Sequence, residues 1–368
     1  MTIFFLGDSN FLISGSGYEL FTKNSTEEVI NLSVGASPSS VGIFVLPDAN
    51  FCEGDVVFIS YAVNEAAYIL QGIVNSQVVY RHLSNILSKI ISAGAHPIIV
   101  IFPSKTGLTI DLESDEAYRN FCKTTGVPLI DLADIIKRSP QSGCSIEQVM
   151  MDDAHIQPKL SSLIADLFND AIDQVRICKP NIRSELFVNA QYRRLAADAI
   201  ANEDGTIFRK SSLRGANMAV LKEGKNLQIA LDESEEIHGM MINMGAPGGI
   251  VEIQGENQKS STSLVTHWDN ENPTSFMCIF VHLRQPVQGG DAGIQVRILP
   301  KNSKYTEPLL HDRTILPDLY GEVHIEGILV ATASTGKFSV LDDAEPNSLI
   351  AGREAQLTQE VVRLTTTP

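Results

Sequence analysis

Cysteine is scarce in this sequence. Five residues, Cys52, Cys122, Cys144, Cys178 and Cys278, are scattered over 368 positions, and no two form a CxxC pair. That spacing speaks against a disulfide framework and against a zinc site. Reduced thiols in a cytoplasmic protein are the simplest expectation. Long apolar runs are also missing. The longest are about strand length, well short of the ~20 residues a helix needs to cross a bilayer. The first eight residues, Met1-Thr2-Ile3-Phe4-Phe5-Leu6-Gly7-Asp8, have no basic segment and reach an acid at once. They do not read as a secretory signal peptide, which again favours the cytoplasm. Positive charge is in short supply. The 28 Lys and Arg face 44 Asp and Glu, for a formal net charge of −16. The imbalance is spread along the chain, with 20 acidic and 11 basic side chains in residues 1–180 and 24 and 17 in the rest. A nucleic acid is therefore not an expected partner, because neutralising phosphates takes clustered Lys and Arg.

What is present suffices for a folded chain. The sequence is 43% hydrophobic and 20% charged, too apolar for global disorder. Its length fits two domains. In the first half, strand-like and helix-like patterns alternate. Thr2–Leu6 and Val56–Tyr61 are apolar runs, Pro97–Phe102 is a continuous one of the kind buried on both faces of a parallel sheet, and Val127–Asp131 is a short strand. Asn75–Ala93 carries Val78, Val79, Leu83, Ile86, Leu87, Ile90 and Ile91 at helical spacing, with Gly94 where a helix should stop. Glu116–Thr125 and Pro158–Val175 also read as helices. This alternation predicts a three-layer α/β domain over residues 1–180. Beyond Lys179-Pro180-Asn181 the period becomes two: Leu227, Ile229 and Leu231, then Ile294, Val296 and Ile298, then Val323 and Ile325. Gly and Pro punctuation between such runs predicts an all-β sandwich or jelly roll over 181–368. Glu354–Leu364 has the pattern of one late helix.

Four short motifs could carry chemistry. Gly7-Asp8-Ser9 ends the first strand, where a serine hydroxyl can stand clear at the carboxyl edge of a sheet; Asp8 or Ser9 capping a helix is the plainer alternative. Gly35, in Asn31-Leu32-Ser33-Val34-Gly35, follows a short strand and could offer a bare backbone N–H. Asn64 follows the Val56–Ser60 strand, and its amide could donate to a developing oxyanion. In Met151-Asp152-Asp153-Ala154-His155, an acid three residues before a histidine could orient that histidine as a base for a serine. Asp152 and Asp153 both stand within reach of that role. Taken singly, each motif has an ordinary structural reading.

Their order along the chain resembles the SGNH (GDSL-type) hydrolase family over roughly residues 1–178. The resemblance implies a flavodoxin-like parallel sheet and a serine-ester mechanism. Carried over residue by residue, it implies Ser9 as nucleophile, His155 as base and Asp152 as its orienting acid. It also implies an oxyanion hole from the Ser9 and Gly35 backbone N–H groups and the Asn64 side chain. Two departures stand out. Asn10 follows the serine where the family has an apolar residue, so Asn10 is a candidate to touch substrate. The third block reads Ala62-Val63-Asn64-Glu65 where the family has Gly-x-Asn-Asp. Three functions follow: an esterase of small acyl groups, acetyl foremost, on a carbohydrate; a carbohydrate O-acetyltransferase on the same residues with acetyl-CoA as donor; or a binding protein whose β-domain does the work. Trp268, the only tryptophan, could stack on a sugar, although a lone Trp in a β-domain is more often core. No cofactor or metal is expected.

Overall fold

The structure, a computed structural model, describes residues 1–138, 145–188, 191–202, 205–211, 214–264, 276–307, 320–332, 337–341 and 347–366. Two compact units divide the chain. The first comprises Met1–Ile69, Asn75–Asn189 and Gly336–Pro368, and the second Leu70–Val74 and Ala190–Thr335.

The first unit is built on five parallel strands: β1 (Thr2–Gly7), β2 (Glu28–Asn31), β3 (Val56–Ser60), β4 (His96–Ile101) and β5 (Leu129–Asp131). Their spatial order is β2-β1-β3-β4-β5, the flavodoxin-like arrangement. The connecting helices are α1 (Gly17–Asn24), α2 (Ser39–Val45), α3 (Ala62–Leu70), α4 (Ser76–Ser92), α5 (Lys105–Thr109), α6 (Glu113–Thr125), α7 (Leu132–Arg138), α8 (Ile146–Val149) and α9 (Ser161–Cys178). Every residue of β3 is buried, Ser60 included, as in a strand covered on both faces. The α4 helix starts on Asn75, whose side chain accepts from the Val78 N–H, and stops at Gly94 with φ +77°. Leu83, Ile86, Leu87 and Ile90 line its buried face.

The order of strand addition reverses at β1, with β2 on one side of it and β3, β4 and β5 on the other. In such sheets the crevice for a ligand opens outside the carboxyl ends of the strands at that switch point. Ser9 follows β1 immediately. An aromatic cluster fixes this end of the strand. Phe5 packs on Phe11 at 4.9 Å between ring centroids, on Tyr18 at 4.7 Å, on Phe58 at 5.0 Å and on Phe168 at 5.5 Å. Burying Phe11 draws the Ser9–Phe11 turn tight against the sheet. Gly7 is what permits the closeness. A Cβ there would lie 2.7 Å from both the Ser60 carbonyl oxygen and a ring carbon of Phe11. Gly7→Ala is therefore expected to destabilise the protein by about 2–3 kcal/mol through overpacking against backbone, read as a lower urea midpoint at unchanged slope.

The second unit has two antiparallel sheets facing each other across one core. Among the described residues its elements are β6 (Tyr192–Ala196), α10 (Ala197–Ile200), β7 (Thr206–Lys210), β8 (Gly215–Lys222), β9 (Asn226–Ile229), β10 (Glu235–Asn243), β11 (Ile250–Gln254), β12 (Lys259–Ser263), β13 (Cys278–Gln288), β14 (Ile294–Leu299) and β15 (Glu322–Thr332). One sheet runs β13-β10-β15-β8-β7, with β6 also paired to β15, and the other β12-β11-β14-β9. The alternating residues that predicted strands are the core: Leu227, Ile229, Leu231, Ile294, Val296, Ile298, Val323 and Ile325 are all buried in it. The all-β sandwich expected for this region is the one observed.

The end of the chain departs from the expected division at residue 180. It returns to the first unit. Residues 347–349 lie beside β5, where the Leu129 N–H donates to Asn347 O at 3.0 Å and the Leu349 N–H to Leu129 O at 2.9 Å. This covers the open edge of the parallel sheet. The late helix, α11 (Glu354–Thr366), buries Leu357 and Val361 in the same apolar cluster as Phe168 and Ile135. No described helix is long and apolar enough to cross a membrane.

Candidate active site

Asp8 organises the turn after β1. Its N–H donates to Ser60 O at 3.1 Å, tying the end of β1 to the end of β3. Its carboxylate Oδ1 accepts from the Asn10 N–H at 2.9 Å, closing the short turn Ser9–Phe11. The Ser9 side chain is thereby held half-buried at the carboxyl edge. Among the described residues, neither the Ser9 N–H nor the Gly35 N–H has a protein acceptor.

The loop before α9 brings the histidine to the serine. Met150 and Ile156 form an antiparallel bridge, and the Met151 N–H donates to His155 O at 2.8 Å. Buried Met150 and Ile156 anchor this loop in the core below, and the Lys105 N–H grips its crest through Asp153 O at 2.9 Å. Within it the Asp152 carboxylate accepts from the Ala154 and His155 N–H groups, each at 2.9 Å, and meets His155 Nδ1 at 2.7 Å. Partial burial works against its ionisation, but these donors prevail and hold the Asp152 carboxyl below the usual range. A carboxylate on Nδ1 fixes that nitrogen as the donor and leaves the Nε2 lone pair outward. His155 Nε2 stands 2.7 Å from Ser9 Oγ across 146 residues of sequence. Asp153, the rival acid, is 98% exposed and 3.9 Å from Lys105 Nζ.

The two other motifs arrive at the same edge. The Val34 N–H donates to Gly7 O at 3.0 Å, which sets Gly35 beside the end of β1. A Cβ on Gly35 would meet nothing within 4 Å. Asn64 lies in the first turn of α3, and its Nδ2 donates to Asp8 Oδ2 at 3.1 Å. One amide hydrogen is thus taken by Asp8, and the other is left for a second acceptor.

Asp8 is the residue that reading the motifs one by one underrates. As a cap it is ordinary, yet it also sets the direction of an amide 56 positions away. It is fully buried, and burial pushes its carboxyl up to about 6 despite the opposing bonds from Asn10 and Asn64 and the proximity of His155. Asn10, expected to touch substrate, is only 5% exposed. Its side-chain nitrogen turns inward to Asp8 Oδ1 at 3.1 Å, because a buried carboxylate needs donors more than an open cleft needs an amide. Trp268 lies outside the described residues. Among the described residues no cluster of three or more His, Cys, Asp or Glu could hold a metal ion. His238 and His324 each pair instead with an acid two positions before, Glu236 and Glu322, at 2.8 and 2.7 Å.

No family model matches the chain, and no curated protein sequence matches it. Solved structures do. A two-domain esterase (CEX) active on acetylated mannans is similar over 92% of this chain and 92% of its own, with a TM-score of 0.59 and 13% identity. The same esterase co-crystallised with mannopentaose is similar over 91% and 92%, with the same score and identity. An acetyl xylan esterase, AlAXEase, covers 46% of this chain and 99% of its own at a TM-score of 0.39 and 16% identity. Over about nine-tenths of the chain the fold is thus similar to that of the two-domain esterase active on acetylated mannans.

Proposed function

We propose that this protein is a serine esterase that removes small acyl groups, acetyl foremost, from a carbohydrate. The observation that carries the reading is the Ser9–His155–Asp152 chain, with 2.7 Å from Oγ to Nε2 and 2.7 Å from Nδ1 to the carboxylate. His155 takes the hydroxyl proton as Ser9 Oγ attacks the ester carbonyl, and Asp152 stabilises the imidazolium. The negative oxygen of the tetrahedral intermediate accepts from the Ser9 and Gly35 N–H groups and from Asn64 Nδ2. Collapse breaks the C–O bond, and the sugar hydroxyl leaves with the proton from His155. Water then repeats the sequence on acyl-Ser9, releasing acetate and restoring the serine. Fold likeness over nine-tenths of the chain to an esterase active on acetylated mannans supports the choice of substrate class.

The test is acetate release. Incubated with acetylated mannan and with para-nitrophenyl esters, the protein should liberate acetate from the polymer and cleave the acetyl ester faster than the octanoyl ester. Acetyl groups appearing on an added sugar in excess of free acetate would replace the esterase by an O-acetyltransferase. A folded protein inert toward every ester would leave a binding protein and end the proposal.

A further inference from the structure

We propose that Glu65 is a positioning residue that locks the two separate donors of the oxyanion hole, Gly35 and Asn64, into one rigid unit. The inference rests on the esterase reading and adds a residue to it. Glu65 stands where the family pattern has aspartate. It is fully buried in the first turn of α3, directly after Asn64. Its Oε1 accepts from the Ser39 N–H at 2.7 Å and, at very short range, from the Ser39 hydroxyl. Ser39 opens α2, four residues after Gly35. The Ser39 hydroxyl also meets His82 Nδ1 of α4 at 2.9 Å.

The segment bearing Gly35 is thereby fixed at both ends. Its start is held by the Val34 N–H on Gly7 O, its end by Ser39 on Glu65. In between, Ala36 adopts a left-handed φ of 53°, and the Ser37 hydroxyl donates to Gly35 O at 3.2 Å. A non-glycine residue keeps such a conformation only when its surroundings over-determine it. Meanwhile Asn64 and Glu65 share one helical turn, both N–H groups donating to Tyr61 O at 3.1 Å. One turn of α3 therefore aims an amide at the site and grips the neighbouring loop from behind. Misplacing an oxyanion donor by a fraction of an ångström weakens it in the transition state more than in the ground state.

The carboxyl does not serve as an exposed charge. Its Oε2 has no hydrogen-bond partner among the described residues. Burial raises it to about 7 against the bonds from Ser39. Tyr61, Tyr68 and Tyr118 lie within range of its charge, and His82 reaches it through the Ser39 hydroxyl. What the site needs from Glu65 is an acceptor at Oε1, which a neutral amide supplies equally well.

Four variants test this with kcat and KM for an activated acetyl ester. Glu65→Ala and Ser39→Ala are expected to lower kcat by about 10-fold or more while KM stays within about 3-fold, the mark of an interaction realised in the transition state. Glu65→Gln should restore kcat to within about 3-fold of wild type, since it keeps the acceptor. A purely structural role would instead lower melting temperature and leave the kcat of the folded fraction intact. Wild-type kcat in Glu65→Ala or Ser39→Ala, or a Glu65→Gln as slow as Glu65→Ala, overturns the proposal. Ser39→Ala removes a single oxygen and decides alone if Glu65→Ala does not fold. Ser9→Ala, run in parallel, separates the two claims. If it is silent while Glu65→Ala is unimpaired, only the positioning role fails. If it remains active, the esterase reading itself fails.

Discussion

Ser9→Ala is expected to lower kcat for an acetyl ester by about 10⁴-fold or more with little change in melting temperature. The Ser9 side chain is half-buried, and its hydroxyl bonds to His155 Nε2. Losing that oxygen leaves the turn intact, since Asp8 and Phe11 hold it. His155→Asn should cost a comparable factor. It removes the base bonded to the hydroxyl and strands Asp152, which is still satisfied by two backbone N–H groups. The two losses should not multiply. A serine without its base and a base without its serine are both outside the covalent route, so the double variant should be about as slow as either single one. Steady-state kinetics on the three variants, with thermal melts as controls, decides it. A double variant slower than Ser9→Ala by the full His155→Asn factor would mean the two residues act independently.

These residues stand out in the sequence because their order resembles a family pattern, and that pattern has a physical basis. Each sits at the end of an element in a short contiguous motif, and element ends at a sheet's carboxyl edge are where ligands bind. Asp152 and His155 lie in one tight loop, so their spacing of three already implied contact. The β-sandwich was legible because its strands bury one face, which writes a period of two into the chain. The missing parts are long-range. Nothing near Asp8 says that its carboxylate will orient Asn64, and nothing near Glu65 says that Ser39 lies above it; both depend on how β1, β3 and α2 stack. Asn10 misled because a polar residue beside a nucleophile reads as a contact, whereas the buried Asp8 carboxylate claims its amide first. The α11 helix is the same lesson at larger scale. Its pattern shows that Leu357 and Val361 face a core, but an amphipathic stripe does not name the core it faces.

Asn64→Ala should lower kcat by about 10²–10³-fold with little change in KM, the effect of removing one oxyanion donor. Asp8→Asn should reach part of that loss without touching the reacting atoms. The replacement amide can offer its oxygen to Asn10 or to Asn64, but its nitrogen then confronts the other donor, and Asn64 loses its fixed direction. The pH dependence separates this from a generic defect. Protonating Asp8 places a hydrogen where the Asn64 amide must donate, so the acid limb of wild-type kcat should carry a contribution from Asp8 near pH 6. Asp8→Asn should lack it and fall less steeply. Stability should move the other way. The folded-state value of about 6 lies above the ordinary aspartate value of 3.8, so folding binds a proton between these values. Ionising the buried group therefore costs about 3 kcal/mol, a penalty absent below pH 4 and complete above pH 6. The melting temperature of Asp8→Asn relative to wild type should accordingly rise between pH 4 and pH 7. Equal acid limbs in the two proteins, together with a pH-independent difference in melting temperature, would remove Asp8 from the site's electrostatics and leave it a simple turn cap.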